Sequence, residues 1–293
     1  MLSKIIKEES SNFNGTMGIA VKHLNTGEYA SLNGDNLFPT ASVRKIPIII
    51  ELYRQVEAGI IDLDQKVSIN EKDRGLGSGV LKDLSPGLEL SIRDLASLMM
   101  ILSDNTAADI ILGKVGLKNV NTTLCENGFI KTKLVANSKE ILFNLIGLDN
   151  LPKEEKTLEI YSEKGKGATL KGTWSIGVKN NNITTPNEML RMLEMVYKCE
   201  IVSPKSSKDI MEIMSRCQTG GYRISKYLPR EKVTVADKTG ELPGIRNDSG
   251  IINLLDTNVT YILSCFTKEA HNIYEAEETI AQISKRFYEY FTS

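Results

Sequence analysis

The chain has 293 residues, with 36 basic and 37 acidic side chains, 41% apolar content, 22 Gly and 8 Pro. Those values exclude collagen-like, low-complexity, disordered and coiled-coil organisation, and the length is enough for one large domain or two interleaved ones. A formal charge of −1 leaves no electrostatic footprint for nucleic acid or an anionic membrane, and the apolar run Ile46 to Leu52, interrupted by Pro47 and Glu51, is too short to span a bilayer.

Along the chain, MLSKIIKEESSNFNG has no apolar stretch of the length a secretory signal needs, so the expectation is a cytoplasmic protein or the processed form of an exported one. Residues 16–23 and 28–33 alternate in polarity around Asn25, Thr26 and Gly27, which predicts a β-hairpin. From Ser42 the period becomes helical, to about residue 58. Gly75 to Leu81 is glycine-rich but lacks the Lys-Ser/Thr of a phosphate loop, so it reads as a turn lining a cleft, with Ser78 a candidate substrate contact. A helix is expected from Ser91, three residues before Asp94, to Ser103, with Leu98, Met99 and Met100 in the core. Residues 152–182, polar and rich in Gly and Asn, read as a long loop. Thr185, Pro186 and Glu188 read as a capping box with proline at the first helical position. Strands are expected at Lys232 to Asp237, Ser249 to Leu255 and Val259 to Phe266, then an amphipathic helix over about 269–290 that packs Phe287 and its aromatic neighbours on the sheet.

Strands at both chain ends with helices between them imply one antiparallel sheet interrupted by a helical insertion. The fold class read from this is α/β (α+β): a sheet built from both ends and flanked by helices, plus an all-helical lobe. The α/β lobe takes about 1–41 and 187–293 and the helical lobe about 42–186, as one catalytic domain. Cys125, Cys199, Cys217 and Cys265 are widely spaced and read as separate reduced thiols. With only His23 and His271, far apart, a zinc site or a histidine triad has little to rest on.

The chemistry instead gathers on serine and lysine. In Ser42-Val43-Arg44-Lys45 a serine at a helix start and a lysine three residues on share one face, so the amine lies within reach of the hydroxyl. Alone, S-x-x-K is expected by chance about once or twice in a chain of this size. Here it is followed by Ser103-Asp104-Asn105 after an apolar helix, and by Lys238-Thr239-Gly240 at the end of a strand. With FPTAS, SDNTAADIIL, ITTPNEML and VADKTG…NDSGII around them, these motifs resemble the class A β-lactamase and penicillin-binding serine hydrolase superfamily over nearly the whole chain. The resemblance implies a β-lactamase/transpeptidase-like fold and an acyl-enzyme on Ser42, with Lys45 as its proton partner and Ser103 relaying the proton to the leaving nitrogen. It further implies Asn105 orienting Lys45 and the substrate amide, Lys238 keeping the site electropositive, and Thr239 binding the substrate carboxylate. An oxyanion hole at the backbone N–H of Ser42 and of Glu241, after Gly240, completes it. No metal, no cofactor and no partner other than a small β-lactam, ester or amide substrate are implied, and the family state is a monomer.

Two places depart from the pattern, Glu241 and the stretch before Thr184, and Arg246 leaves two readings open. Glu241 stands where a small residue is usual, with its carboxylate beside the substrate path. Arg246 lies where many members place a carboxylate-binding cation, and an exposed strand-edge arginine without a role is the alternative. The stretch before Thr184-Thr185-Pro186 lacks the glutamate and asparagine that hold the deacylating water. From the upstream side, Glu140 and Asn144 have the required spacing of four; the alternative is a solvent-facing Glu140 on a short helix whose buried face is Ile141, Leu142 and Leu145. The extra length after Asn144 then becomes an insertion at that edge of the site. Three activities stay open: β-lactam ring hydrolysis, hydrolysis of other esters or amides as by a D,D-carboxypeptidase, and a penicillin-binding acyl trap that does not turn over.

Overall fold

The computed structural model describes residues 1–166 and 176–293. Helix α1 (Leu2–Ser10) precedes the hairpin β1 (Thr16–His23) and β2 (Tyr29–Leu32), and β3 (Phe38–Pro39) leads into helix α2 (Lys45–Glu57). A small ribbon follows, β4 (Lys66–Ile69) against β5 (Leu88–Ser91). Four helices come next, α3 (Ile92–Ile101), α4 (Asn105–Val115), α5 (Leu117–Glu126) and α6 (Ser138–Leu145), and then α7 (Leu158–Lys164). Strand β6 (Ile183–Thr184) pairs with β3, before α8 (Pro186–Tyr197) and α9 (Pro204–Ser215). The chain closes with β7 (Val233–Leu242), β8 (Ile245–Leu254), β9 (Thr260–Lys268) and α10 (Ile273–Thr292).

The five-stranded sheet has the order β2-β1-β9-β8-β7, and its pairs are antiparallel. Both faces are covered, which is why its central strands are buried at nearly every position, polar residues included. On one face Ala20, Ala236, Ile251 and Ile262 join the large helical core with α2 and α8; on the other Ile19, Val21, Ile252 and Leu263 meet α1 and α10 through Leu2, Ile6, Ile280, Ile283 and Phe287. Helix α2 is buried almost all round, from Ile46 to Tyr53, as expected of a helix inside a core. The mixed architecture with its antiparallel sheet is therefore the one expected.

Several elements differ from the sequence reading, each for a local reason. Lys238-Thr239-Gly240 lies inside β7, because the β7–β8 turn falls at Gly244, whose φ of 70° is left-handed. Thr185 caps α8 by accepting from Glu188 N at 3.1 Å, but the box is only half formed. The Glu188 carboxylate turns away to accept the backbone N–H of Lys131 (3.0 Å) and Thr132 (2.6 Å). The span read as a loop contains α7, capped by Thr157 and packed through Tyr161 on Phe143; its residues 167–175 lie outside the described residues. Helix α1 and the β4–β5 ribbon were not expected.

Ile262 is fully buried in the central strand β9 and belongs to the helical core. Ile262→Ala should cost about 2–5 kcal/mol of unfolding free energy by urea titration, whereas Leu255→Ala, at a 55% exposed turn residue, should stay within about 0.5 kcal/mol. Equal losses at the two positions would contradict this assignment of the core.

Candidate active site

Ser42 sits in a 3-10 turn, Ala41–Arg44, that runs into α2 at Lys45. Ala41 holds a left-handed φ of 47° just before it, a conformation disfavoured for a residue with a Cβ. Across the gap, Gly240 of β7 lies so close that a Cβ there would come within 2.7 Å of Thr40 O and 3.2 Å of Ser42 N. A glycine is needed for the edge of the sheet to approach the serine turn this closely.

Lys45 is fully buried. Its Nζ lies 3.2 Å from Ser42 Oγ, 3.0 Å from Ser103 Oγ, 2.7 Å from Ser103 O and 2.8 Å from Asn105 Oδ1. Two of these acceptors are held from behind. Asn105 Nδ2 donates to Leu76 O at 2.7 Å, which fixes the amide with its oxygen toward the lysine; the Ser78 hydroxyl donates to Ser103 O at 2.7 Å. Ser103 itself has a left-handed φ of 56°, held by Asp104, which caps α4 through Ala107 N (2.9 Å) and also accepts Val80 N and Leu81 N. Burial, and then the nearby cations Lys238 and Arg44, push Lys45 well below the ordinary lysine range, while Asp109 and Asp104 oppose them. A lysine so placed gives up its proton more readily than one in water.

These groups open onto a cavity of about 230 Å³. Its walls include Gly77, Ser78, Ser138, Ile141, Leu142, Asn181 and Asn182, and on the β7 side Thr219, Thr239, Glu241 and Leu242. Thr219 Oγ1 and Thr239 Oγ1 share a hydrogen bond of 2.5 Å. Lys238 is fully buried, donates to Thr239 O at 3.0 Å, and is lowered by burial against the opposing pull of Cys217, Asp237 and Asp248. The Glu241 carboxylate is bonded to the buried guanidinium of Arg223, which outweighs the upward push of its own burial and holds it below the usual range. Glu241 thus lies along the cavity wall, where it was expected, with its carboxylate tied to Arg223.

Ser42, Lys45, Ser103 and Asn105 are thus brought together, Thr239 and Glu241 border the same space, and Gly240 between them packs against the serine turn. Two expectations need correction. Glu140 and Asn144 do not line this cavity; they border a separate one of about 460 Å³ with Lys153, Lys156 and Lys179. At about 100° per residue, Ser138, Ile141, Leu142 and Leu145 share one face of α6, and Glu140 and Asn144 share the opposite one. The Glu140 carboxylate closes a capping box with Asn137, accepting its N–H at 3.0 Å, and pairs with Lys153 at 2.8 Å. Arg246 is neither a cavity cation nor an exposed edge residue. It is mostly buried, with Nε on Glu277 of α10 at 3.0 Å and Nη1 on Ile245 O at 2.8 Å.

Sequence reasoning missed Thr219, Asn182, Arg223 and Arg44. The first three are brought in by long-range packing and carry no local signal. Arg44 had one, a charge between Val43 and Lys45 at the start of an otherwise apolar helix.

The family model described as the beta-lactamase enzyme family matches residues 1–291. The chain is similar to beta-lactamase VEB-1 of Pseudomonas aeruginosa, 26% identical over 95% of this chain and 86% of that protein. It is also similar to the crystal structure of a beta-lactamase from Sphaerobacter thermophilus, at TM-score 0.80 and 26% identity, covering 99% of this chain and 97% of that one. In fold it further matches an ancestral class A beta-lactamase, at TM-score 0.80 and 21% identity over 99% of this chain and the whole of the other.

The depressed Glu140 carboxyl has a consequence for stability. A carboxyl whose pKa falls on folding stabilises above its unfolded value, about 4.3, and that contribution is lost as pH drops through the folded one. Burial raises Glu140, but the Lys153 and Asn137 hydrogen bonds outweigh it. Glu140→Ala should therefore cost about 0.5–1 kcal/mol in urea unfolding at pH 7, shrinking toward zero as the pH falls below 4. A loss of the same size at both ends of that range would refute the assignment.

Proposed function

This chain belongs to the beta-lactamase enzyme family, and from that premise we propose that the hydrolase works through an acyl-enzyme on Ser42, with a cyclic amide of the β-lactam class as substrate. The observation that carries this reading is the meeting of Lys45 Nζ with Ser42 Oγ, Ser103 Oγ, Ser103 O and Asn105 Oδ1 at 2.7–3.2 Å, inside a buried pocket. We read the chain as a single catalytic domain with the cavity between its sheet and its helical part.

In the proposed reaction the Ser42 oxygen bonds to the carbonyl carbon as its proton passes to Lys45. The oxyanion develops toward the N–H groups of Ser42 and Glu241, where fixed donors stabilise it most. Collapse breaks the ring C–N bond. The nitrogen takes the Ser103 proton, Ser103 is reprotonated from Lys45, and the products of this half are an ester on Ser42 and a free amine. Thr239 and Thr219, with Lys238 behind them, suit a substrate carboxylate at the β7 edge. Release needs water to attack the ester and return a proton to Ser42.

A second reading concerns that release, and one observation favours it. Glu241 is the only carboxylate among the described residues lining the cavity, and it is paired with Arg223; residues 167–175 contain no Asp or Glu. With no carboxylate free to activate water, acylation outruns deacylation, and the protein behaves toward penicillins as a slow hydrolase or an acyl trap.

Intact-mass spectrometry after mixing with penicillin G, alongside nitrocefin turnover, separates the possibilities. A single adduct that decays slowly is expected. Ser42→Ala should abolish the adduct and lower turnover by roughly 10³-fold or more. Fast turnover without an adduct would overturn the slow-release reading, and an unchanged Ser42→Ala variant would overturn the nucleophile.

A further inference from the structure

We propose that Glu241 is a specificity residue of this cavity, selecting acyl donors that carry a cation beside their carboxylate over donors that do not. This role presupposes the acylation of Ser42 proposed above and names the charge class of the substrates that enter it.

Among the described residues that line the cavity, the charged ones are Arg44 and Glu241. Arg44 is buried and turned to α6, where its Nη2 donates to the Ser138 hydroxyl. Lys45 and Lys238 are fully buried behind the wall. Glu241, on β7, keeps a side chain that is 52% exposed, so it is the charge that a ligand meets most directly. Side chains alternate along a strand, and Glu241 and Thr239 therefore project from the same side of β7, about 7 Å apart. Thr239 shares a hydrogen bond with Thr219 and has Lys238 behind it, the place suited to a substrate carboxylate. A group attached next to that carboxylate comes within reach of Glu241.

The carboxylate is held in this position from behind. Arg223, almost wholly buried, donates from Nη2 to Glu241 Oε1 and, at 2.8 Å, to Glu277 Oε1, while its Nη1 donates to Asn247 O at 3.2 Å. Glu277 in turn accepts Arg246 Nε at 3.0 Å. The four charges alternate in sign and sum to zero, yet they are ordered in depth, with the exposed anion at the cavity and the buried cation behind it. Arg223 is divided between two carboxylates and offsets Glu241 only in part. Glu241 Oε2 has no hydrogen-bond partner among the described residues.

Anchoring Arg223 does not require an anion on the cavity wall. Glu277, whose side chain is 17% exposed and lies outside the cavity lining, already pairs with the same guanidinium. A half-exposed carboxylate at the substrate wall does something that Glu277 cannot: it repels a further anion placed there and attracts a cation. A substrate that offers a carboxylate alone has the Lys238 charge in its favour and the Glu241 charge against it. A cation beside the carboxylate turns the second contribution into an attraction.

Cephaloridine and cephalothin form a matched pair of probes. They share ring system, acyl side chain and carboxylate, and differ beside that carboxylate, where the first carries a pyridinium and the second a neutral acetoxy group. The ratio of their second-order acylation rates, read by intact-mass spectrometry, should fall about three- to tenfold in Glu241→Gln. In the wild type it should fall as salt is raised from about 0.05 to about 0.5 M. Glu277→Gln removes an equal charge from the same array, away from the cavity, and should leave the ratio within about twofold. An unmoved ratio in Glu241→Gln, or an equal fall in Glu277→Gln, would overturn the proposal. Should Glu241→Gln fail to fold, the wild-type salt dependence decides, and a ratio indifferent to salt refutes. Equilibrium binding of the same pair to Ser42→Ala protein, by isothermal titration, reads the preference without the chemistry. Tighter binding of cephaloridine there, lost on adding Glu241→Gln, with no adduct on the wild type, would count against the Ser42 reading while upholding the role of Glu241. Equal affinities for the two cephalosporins would overturn that role.

Discussion

A lysine buried to zero exposure is the feature on which the rest of the site depends. Taking an amine out of water is costly unless its hydrogens find oxygens, and the oxygens around Lys45 come from two separate stretches of chain, braced by a third. Ser42 is on the turn into α2, Ser103 and Asn105 are at the head of α4, and Leu76 and Ser78 support them from the glycine-rich turn. None of these stretches can serve until the helices have packed. Strain is concentrated at the same place, with left-handed φ values at Ala41 and Ser103, and Asp104 holds the second of these with three backbone N–H groups.

The sheet supplies the opposite wall and does so through its outermost strand. Strand β7 has a partner on one side only, which leaves its other edge free to face the serine turn at the Gly240 contact. That edge is anchored from behind by a charged chain in which Glu241 meets Arg223, Arg223 meets Glu277, and Glu277 meets Arg246. Beneath Lys238 lie Asp237 and Asp248, whose carboxyls are pushed upward by burial.

Much of this was legible in the sequence, and what was legible was local. Alternation around Asn25-Thr26-Gly27 identified the first hairpin, and Ser91 with Asp94 identified the start of α3 by a full capping box. Spacing of three placed Lys45 on Ser42, and the order of the three short motifs pointed to the family. Features set by distant packing were not legible. The Glu188 carboxylate was read as closing its own cap but is drawn away by Lys131 and Thr132. Arg246 was read by its distance from Lys238, whereas its partner, Glu277, comes from α10. Thr219 and Arg223 reach the site from a stretch with no periodic signal.

Helix α6 shows most plainly where spacing stops being informative. A separation of four guarantees that Glu140 and Asn144 lie together on a helix; it says nothing about which way that face points. The direction is set by the other face, where Ile141 and Leu145 join a small apolar cluster with Leu242 of β7, and by the cap, which turns the Glu140 carboxylate back over Asn137. A carboxylate at the third helical position that closes its own cap is held away from any cleft on the far side of the helix. The side of α6 that does face Ser42 offers one hydroxyl, Ser138, and two aliphatic side chains, and the charge behind that hydroxyl is the Arg44 cation. In the scheme proposed above, the groups that form the acyl-enzyme are therefore also the ones left to release it. Lys45 is then asked to serve twice, first against a serine hydroxyl 3.2 Å away and then against a water for which the described cavity residues offer no carboxylate but the Arg223-bound Glu241.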